Sequence, residues 1–327
     1  MKVLVTGASG FLGSHIAEKL FADGHEVRLL LRATSSRMWL RQVKYEEAHG
    51  DVTDPDSLTA AVQGVDSIVH TAALVKARTE AGFAAVNASG TGNLLRAVEA
   101  HGTGVKRFVY VSSLAAHGPS PDGKPRPVDA PPNPLTAYGR TKLAGEDLTR
   151  LSSIAPRSVI FRAPVIYGPR DPALVPFFRF AKFRFAPLLM GGRNRVSAVY
   201  GPDAAAAIAA AATVEADVDG KTYTLDDGAV YTWRDMLGAV ENAVGRRALS
   251  LSCPRWTFEA AATASEIFGA VTGRAVVLTH EKVLEMAQKH WVCNSEALSR
   301  DLGWSPSVTI SAGARLTAAW YNGHGWI

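Results

Sequence analysis

The chain begins with an apolar run, Lys2-Val3-Leu4-Val5-Thr6, that passes straight into Gly7-Ala8-Ser9-Gly10-Phe11-Leu12-Gly13. A run with no polar alternation predicts a strand buried on both faces. Gly7 and Gly10 let the backbone turn tightly and leave no Cβ in the way of a bound group. Gly13 lets the next element pack close to the strand. Leu12, Ile16 and Leu20 recur at helical spacing, so the glycines open a helix. Its first N–H groups and positive dipole end suit an anion. The spacing is G-x-x-G-x-x-G, not the G-x-G-x-x-G of the dinucleotide fingerprint. The order of strand, glycines and helix nevertheless predicts a pyrophosphate site and hence a dinucleotide ligand.

A chain of 327 residues buries a large core, as one large or two joined domains. With 47% hydrophobic and 20% charged residues it has an ordinary globular composition. Its two cysteines, Cys253 and Cys293, make no disulfide framework and imply a reducing compartment. No apolar run is long enough to span a bilayer, and the N-terminus reads as a strand rather than a leader. A cytoplasmic protein with no membrane partner is expected. The net charge of +5 is spread along the chain, which argues for an anionic cofactor and against a nucleic-acid partner.

Strand and helix signals alternate through the first half. Strands are predicted over Glu26 to Leu31, Val43 to Ala48, Ser67 to His70, Arg107 to Val111 and Ser158 to Arg162. Helices are predicted over Phe83 to Ala100 and Thr136 to Ser153. This order predicts an α/β fold, a Rossmann-type doubly wound parallel sheet with ligands at the carboxyl ends of its strands. The seven prolines between His117 and Leu135 predict an irregular loop. Beyond Gly168 the pattern changes. An alanine-rich helix follows Asp203, Thr222 to Leu225 looks like a further sheet strand, and the remainder reads as mostly helical. The expected division is a dinucleotide-binding domain over 1–165, with 196–227 returning to it, and a smaller, mostly helical substrate lobe from 166–195 and 228–327.

Arg32 stands at the end of the second predicted strand, nineteen residues past Gly13. An acidic residue there would bond a ribose 2′-hydroxyl, whereas an arginine suits a 2′-phosphate. NADP(H) is therefore preferred over NAD(H), with Ser35 and Arg37 as further phosphate contacts. Tyr138 and Lys142, at i and i+4, share one helix face. A free phenol titrates near ~10, too high for ready proton exchange at neutral pH. An ammonium beside it favours the phenolate. Ser113 follows the fifth strand, placed to hold a substrate oxygen while Tyr138 exchanges the proton. The histidines, His70 and His117 among them, and the cysteines show no metal-ligand spacing, so no metal is expected.

These pieces together resemble an extended short-chain dehydrogenase/reductase of the epimerase/dehydratase-like superfamily. The resemblance rests on Thr6 to Gly13, Gly50-Asp51-Val52, His70-Thr71-Ala72-Ala73, Asn87-Ala88-Ser89-Gly90-Thr91, Ser112-Ser113, Tyr138 to Lys142, Arg162 to Pro169, Leu302 to Pro306 and Trp320-Tyr321. It implies that Ser9, Phe11 and Leu12 join the glycines on the pyrophosphate turn. It also implies that Asp51 and Val52 meet the adenine and that Thr71, Ala72 and Ala73 line the cofactor. Asn87 supports the region after the fourth strand. Lys142 also holds the nicotinamide ribose, and Pro164 faces the carboxamide. A homodimer through the helices beginning near Phe83 and Thr136 is implied as well.

The departures from the family narrow the reading. Dehydratases of the superfamily place an acidic pair directly after the hydroxyl residue, where this chain has Leu114 and Ala115. Nucleotide-sugar epimerases usually carry an asparagine where Val165 stands and an arginine where Val196 stands, although Arg193 and Arg195 lie nearby. The apolar stretch from Phe177 to Met190 is expected to be mainly lobe core, with any remainder favouring an apolar substrate. The chain is closest in character to the 3β-hydroxysteroid dehydrogenase and dihydroflavonol reductase branches. The reading is an NADP(H)-dependent oxidoreductase that interconverts a secondary alcohol and a ketone on an apolar small molecule. The alternatives are an NAD-dependent nucleotide-sugar epimerase and a non-catalytic dinucleotide-binding protein; the second sits poorly with an intact tyrosine and lysine.

Overall fold

Residues buried on both sides of a sheet feed two cores, and β1 (Lys2–Thr6) does so. Val3 and Val5 join one apolar cluster, while Leu4 joins the other. In the computed structural model, which describes all residues 1–327, β1 is an interior strand of the main sheet, paired on both sides. The first helices are α1 (Phe11–Ala22), α2 (Thr59–Val62), α3 (Glu80–Ala84), α4 (Thr91–His101), α5 (Leu114–His117) and α6 (Ala137–Leu151). They alternate with β2 (Glu26–Leu31), β3 (Tyr45–His49), β4 (Ser67–His70), β5 (Arg107–Ser113) and β6 (Ser158–Ala163).

The later strands are β7 (Val165–Tyr167), β8 (Phe185–Leu189), β9 (Arg195–Tyr200), β10 (Thr222–Thr224), β11 (Val230–Thr232), β12 (Leu249–Cys253) and β13 (His290–Trp291). The later helices are α7 (Val175–Lys182), α8 (Gly201–Thr213), α9 (Trp233–Val244), α10 (Arg255–Thr272), α11 (His280–Met286), α12 (Glu296–Leu302) and α13 (Ile310–Gly323). Seven strands form one parallel sheet in the order β10-β6-β5-β4-β1-β2-β3. Its reversal point lies at β1 and β4, where a doubly wound sheet opens a crevice.

One face of the sheet carries α1 and α8, which contribute Ile16, Leu20 and Ile208 to the larger core. The alanines of α8 bring these two helices close together. The other face carries α4, through Leu94, Leu95 and Val98. The 196–227 stretch divides between the two halves of the fold. Strand β9 pairs with β7, β11 and β13 in a separate small sheet, whereas β10 joins the large one. The Asp203 carboxylate accepts the Ser307 and Val308 amides, and the Trp304 indole donates to the Asp203 carbonyl. These bonds tie the C-terminal segment to the first turn of α8. No helix is long and apolar enough to cross a membrane.

The helix predicted from Phe83 to Ala100 runs from Glu80 to His101, but Ala85–Gly90 within it is a π-helical segment. The cause is Asn87, which bonds outside the helix. Its amide oxygen accepts the Leu74 N–H at 2.8 Å, and its nitrogen donates to the Leu74 carbonyl and the Thr141 hydroxyl. The apolar stretch from Phe177 to Met190 also divides. Phe178, Leu188 and Leu189 are buried, while Phe180, Phe183, Phe185 and Met190 face solvent.

Candidate active site

The glycine turn is built by close approach. Gly7 has φ +73°, and a Cβ there would lie 2.8 Å from the Ala72 nitrogen. A Cβ on Gly13 would lie 2.3 Å from the Gly7 carbonyl oxygen. Helix α1 starts at Gly10 with no side-chain cap and no acidic residue in its first turn. Its first amides therefore lack a side-chain partner at the point where an anion would sit, so the turn fits a dinucleotide pyrophosphate.

The parallel sheet brings most of the candidate residues to one edge, because each follows the carboxyl end of a strand. Gly7, Ser9, Gly10, Phe11, Leu12 and Gly13 follow β1; Arg32 follows β2 and Asp51 and Val52 follow β3. Thr71, Ala72 and Ala73 follow β4, Ser113 ends β5, and Pro164 follows β6. Phe11 contacts His15 edge-on, and its ring lies where a side chain on Gly201 would be. The Arg32 side chain is 62% exposed, with its nearest carboxylate, Asp51, at 3.7 Å. The Ser35 hydroxyl accepts the Arg32 amide. Arg37, expected as a phosphate contact, is instead held by the Glu47 carboxylate and the Ser35 carbonyl.

A buried hydrogen-bond chain stitches this edge together. Thr71 Oγ1 donates to the Thr6 carbonyl, and Thr91 Oγ1 donates to the Asn87 carbonyl. With its proton used there, Thr91 accepts from His70 Nε2 at 2.9 Å. His70 Nδ1 then accepts from the Thr6 hydroxyl at 2.7 Å. Burial holds His70 neutral, with its pKa pushed down to about 3. Both ring nitrogens of His70 are thus engaged by neighbouring hydroxyls.

Helix α6 brings the remaining groups. The Thr136 hydroxyl caps it by accepting the Gly139 amide, and Glu281 of α11 accepts the Ala137 amide at 2.8 Å. Lys142 is 2% exposed. Its Nζ donates to the Val111 carbonyl at 2.6 Å and lies 4.2 Å above the Tyr110 ring centre. Burial pushes its pKa down to about 7, against the opposing charge of Glu146. Ser113 Oγ accepts the Ala115 amide at 3.1 Å, which leaves its proton free. Tyr138 is half-buried, with Phe83 edge-on to its ring. Burial pushes the phenol up to about 12; the neighbouring Ser113 hydroxyl opposes this, and the Glu285 charge adds to it. Ser113, rather than Lys142, is the neighbour that lowers the pKa of the phenol. The spacing of Tyr138 and Lys142 places them on one face, but the ammonium is turned toward β5.

Sequence reasoning missed Glu146, Arg162 and Glu281. Glu146 repeats the i+4 step from Lys142 and had a readable signal. Glu281 lies 144 residues from the amide it accepts and had none.

Residues 3–226 match the NAD dependent epimerase/dehydratase family. The chain is 30% identical to a ceramide reductase of Caulobacter vibrioides, over 99% of this chain and 96% of that one. It is also 30% identical to a 2-alkyl-3-oxoalkanoate reductase of Stenotrophomonas maltophilia, over 96% and 98%. Among solved structures it resembles the Thermus thermophilus UDP-glucose 4-epimerase in complex with NAD, with a TM-score of 0.79 and 26% identity over 99% of both chains. The chain belongs to the NAD-dependent epimerase/dehydratase family and is an NAD(P)-dependent enzyme of the extended short-chain dehydrogenase/reductase type.

Proposed function

We propose that this enzyme uses NADP(H) to interconvert a secondary alcohol and a ketone on an apolar small molecule. The observation that carries the reading is that Ser113 ends β5 with its proton free beside the Tyr138 phenol, while Lys142 reaches the same strand at Val111. A bound nicotinamide dinucleotide supplies or accepts the hydride. Tyr138 gives the substrate oxygen its proton in reduction and removes it in oxidation. Ser113 donates to that oxygen and orients it. Lys142, a buried cation at the same edge, holds the nicotinamide ribose and supports negative charge on the phenol. The glycine turn, Asp51, Val52, Thr71, Ala72, Ala73 and Pro164 hold the rest of the dinucleotide, and Asn87 fixes the loop after β4.

Three observations support the finer points. Arg32 is a cation with its head in solvent at the end of β2, suited to a 2′-phosphate. Val196, where epimerases carry an arginine, is 1% exposed and lies in an apolar cluster with Tyr167 and Met236. The two reductases are named for a ceramide and a 2-alkyl-3-oxoalkanoate, both bearing hydrocarbon chains. The test is a titration with NADPH and NADH, followed by an absorbance screen of apolar ketones against UDP-sugars. Tighter NADPH binding and net NADPH consumption with a ketone are expected. Tightly retained NAD, no net consumption and turnover of a UDP-sugar would establish the epimerase instead.

A further inference from the structure

Helix α10 rests on the molecule along one line, marked by its two buried residues, Ala262 and Gly269. At about 100° per residue, Trp256, Ala260, Ala264, Ile267, Phe268 and Val271 fall on the opposite side, over an arc of about 120°. No charged residue interrupts that arc. Val271 is 82% exposed, Trp256 67%, Ile267 59% and Phe268 56%. The acidic side chains of α10 are already engaged, Glu259 with Arg255 and Glu266 with His280. A surface helix of a soluble domain normally turns such a stripe inward; this one turns it outward.

The strand pair before α10 repeats the arrangement. In the parallel pairing of β12 with β8, Leu249 lies opposite Phe185 and Leu251 opposite Pro187. These side chains share one face, and Leu249, Leu251 and Phe185 are exposed there. The other face carries Ala186 and Leu188 into the core. The two outward apolar surfaces follow one another in the chain, α10 beginning directly after Pro254 at the end of β12.

The margin of this surface is cationic. Arg184, Arg246 and Arg247 are exposed beside the strand pair, and Arg246 donates to the Lys182 carbonyl. No aspartate or glutamate occurs over 172–190 or 242–258. Glu241, the nearest acid in sequence, accepts the Ala248 amide. Exposed aromatic and aliphatic side chains bordered by unopposed cations match an anionic bilayer surface. The apolar groups enter the headgroup boundary, and the cations meet lipid phosphates. A second copy of the chain fits less well, because a two-fold contact would set the same cationic margin against itself.

We propose that the face formed by α10 and the β8–β12 pair docks this protein peripherally on anionic lipid membranes, with α10 lying in the interface. The sequence expectation of no membrane partner weighed only a spanning segment or a leader; a surface contact needs neither. Helix α10 packs on α11, which carries Glu281 onto α6. The docked face is therefore one helix removed from the helix bearing Tyr138.

The test is flotation of the full-length protein with vesicles of mixed phosphatidylglycerol and phosphatidylcholine, and with phosphatidylcholine alone. The protein is expected to float with the anionic vesicles, less so at high salt, and weakly with the neutral ones. Ile267→Asp combined with Val271→Asp should lower the bound fraction at least about tenfold. Arg246→Glu combined with Arg247→Glu should lower it by about tenfold and abolish the salt dependence. All four side chains are exposed, so circular dichroism should be unchanged; if the first pair fails to fold, the second carries the test. Absence of flotation, or flotation indifferent to both pairs, would overturn the proposal. So would a solution dimer that the aspartates dissociate while vesicle binding persists.

Discussion

Glu146, one turn beyond Lys142 on α6, forms an ion pair at 2.8 Å with Arg162 of β6, with both side chains withdrawn from solvent. Burial raises the Glu146 carboxyl, but Arg162, Ser112 and Arg150 outweigh it and hold its pKa below the ordinary range. The carboxylate therefore stays charged behind Lys142 and opposes the loss of the lysine proton. Glu146→Gln should leave Arg162 buried without its counter-charge. Urea unfolding should show a loss of ~3–5 kcal/mol.

Tyr138→Phe keeps the ring against Phe83 and removes the only proposed proton donor. Turnover of a reactive ketone should fall by ~10²- to 10⁴-fold, while NADPH affinity by fluorescence titration stays as in the wild type. Undiminished turnover would sink the mechanism.

Arg32→Ala discriminates the two dinucleotides. Losing one charge-assisted contact to a 2′-phosphate should weaken NADPH binding by about tenfold and leave NADH nearly unaffected. Equal losses for both would remove the case for NADP(H).

Two buried bases give stability a pH dependence with a definite sign. The pKa of His70 is about 3 and that of Lys142 about 7, both below their ordinary values because of burial. Between each folded value and its unfolded one, the unfolded chain binds the extra proton, so stability rises with pH. For His70 the window runs from about 3 up to ~6.5, and for Lys142 from about 7 up to ~10.4. Each contributes a slope of up to ~1.4 kcal/mol per pH unit. Thermal melts without cofactor should lose the acid-side slope in His70→Asn and the slope from neutral to alkaline pH in Lys142→Met.

Gly13→Ala tests the close packing of α1 on its turn. The new Cβ would meet the Gly7 carbonyl at 2.3 Å, so backbone must shift. The variant should melt at lower temperature and bind both dinucleotides more weakly. A variant that binds NADPH normally would show that the turn tolerates the displacement.

Much of the fold was legible because its signals are local. β2 and β4 were read at their observed bounds, since each carries consecutive apolar residues, Leu29 to Leu31 and Ile68-Val69, that the sheet buries. Tyr138 and Lys142 were legible as a pair because one helical turn separates them. The π-helical segment was not, because its cause lies in Asn87 bonding to Leu74 and Thr141, 13 and 54 residues away. The path of the Lys142 ammonium was not legible either. Spacing gives the helix face, but the Val111 carbonyl and the Tyr110 ring, on a neighbouring strand, draw the side chain aside.

The sequence by itself determined the parallel α/β core, the glycine turn and the residue types that can exchange a proton. Each depends on periodicity, backbone freedom or functional groups, which are properties of short stretches. Tertiary structure alone decided that the Lys142 ammonium turns to β5, that Glu146 and Arg162 bury a charge pair behind it, and that α10 turns its apolar side outward. Those outcomes depend on which distant segments share a dry interior and which are left facing water, and no local pattern encodes that partition.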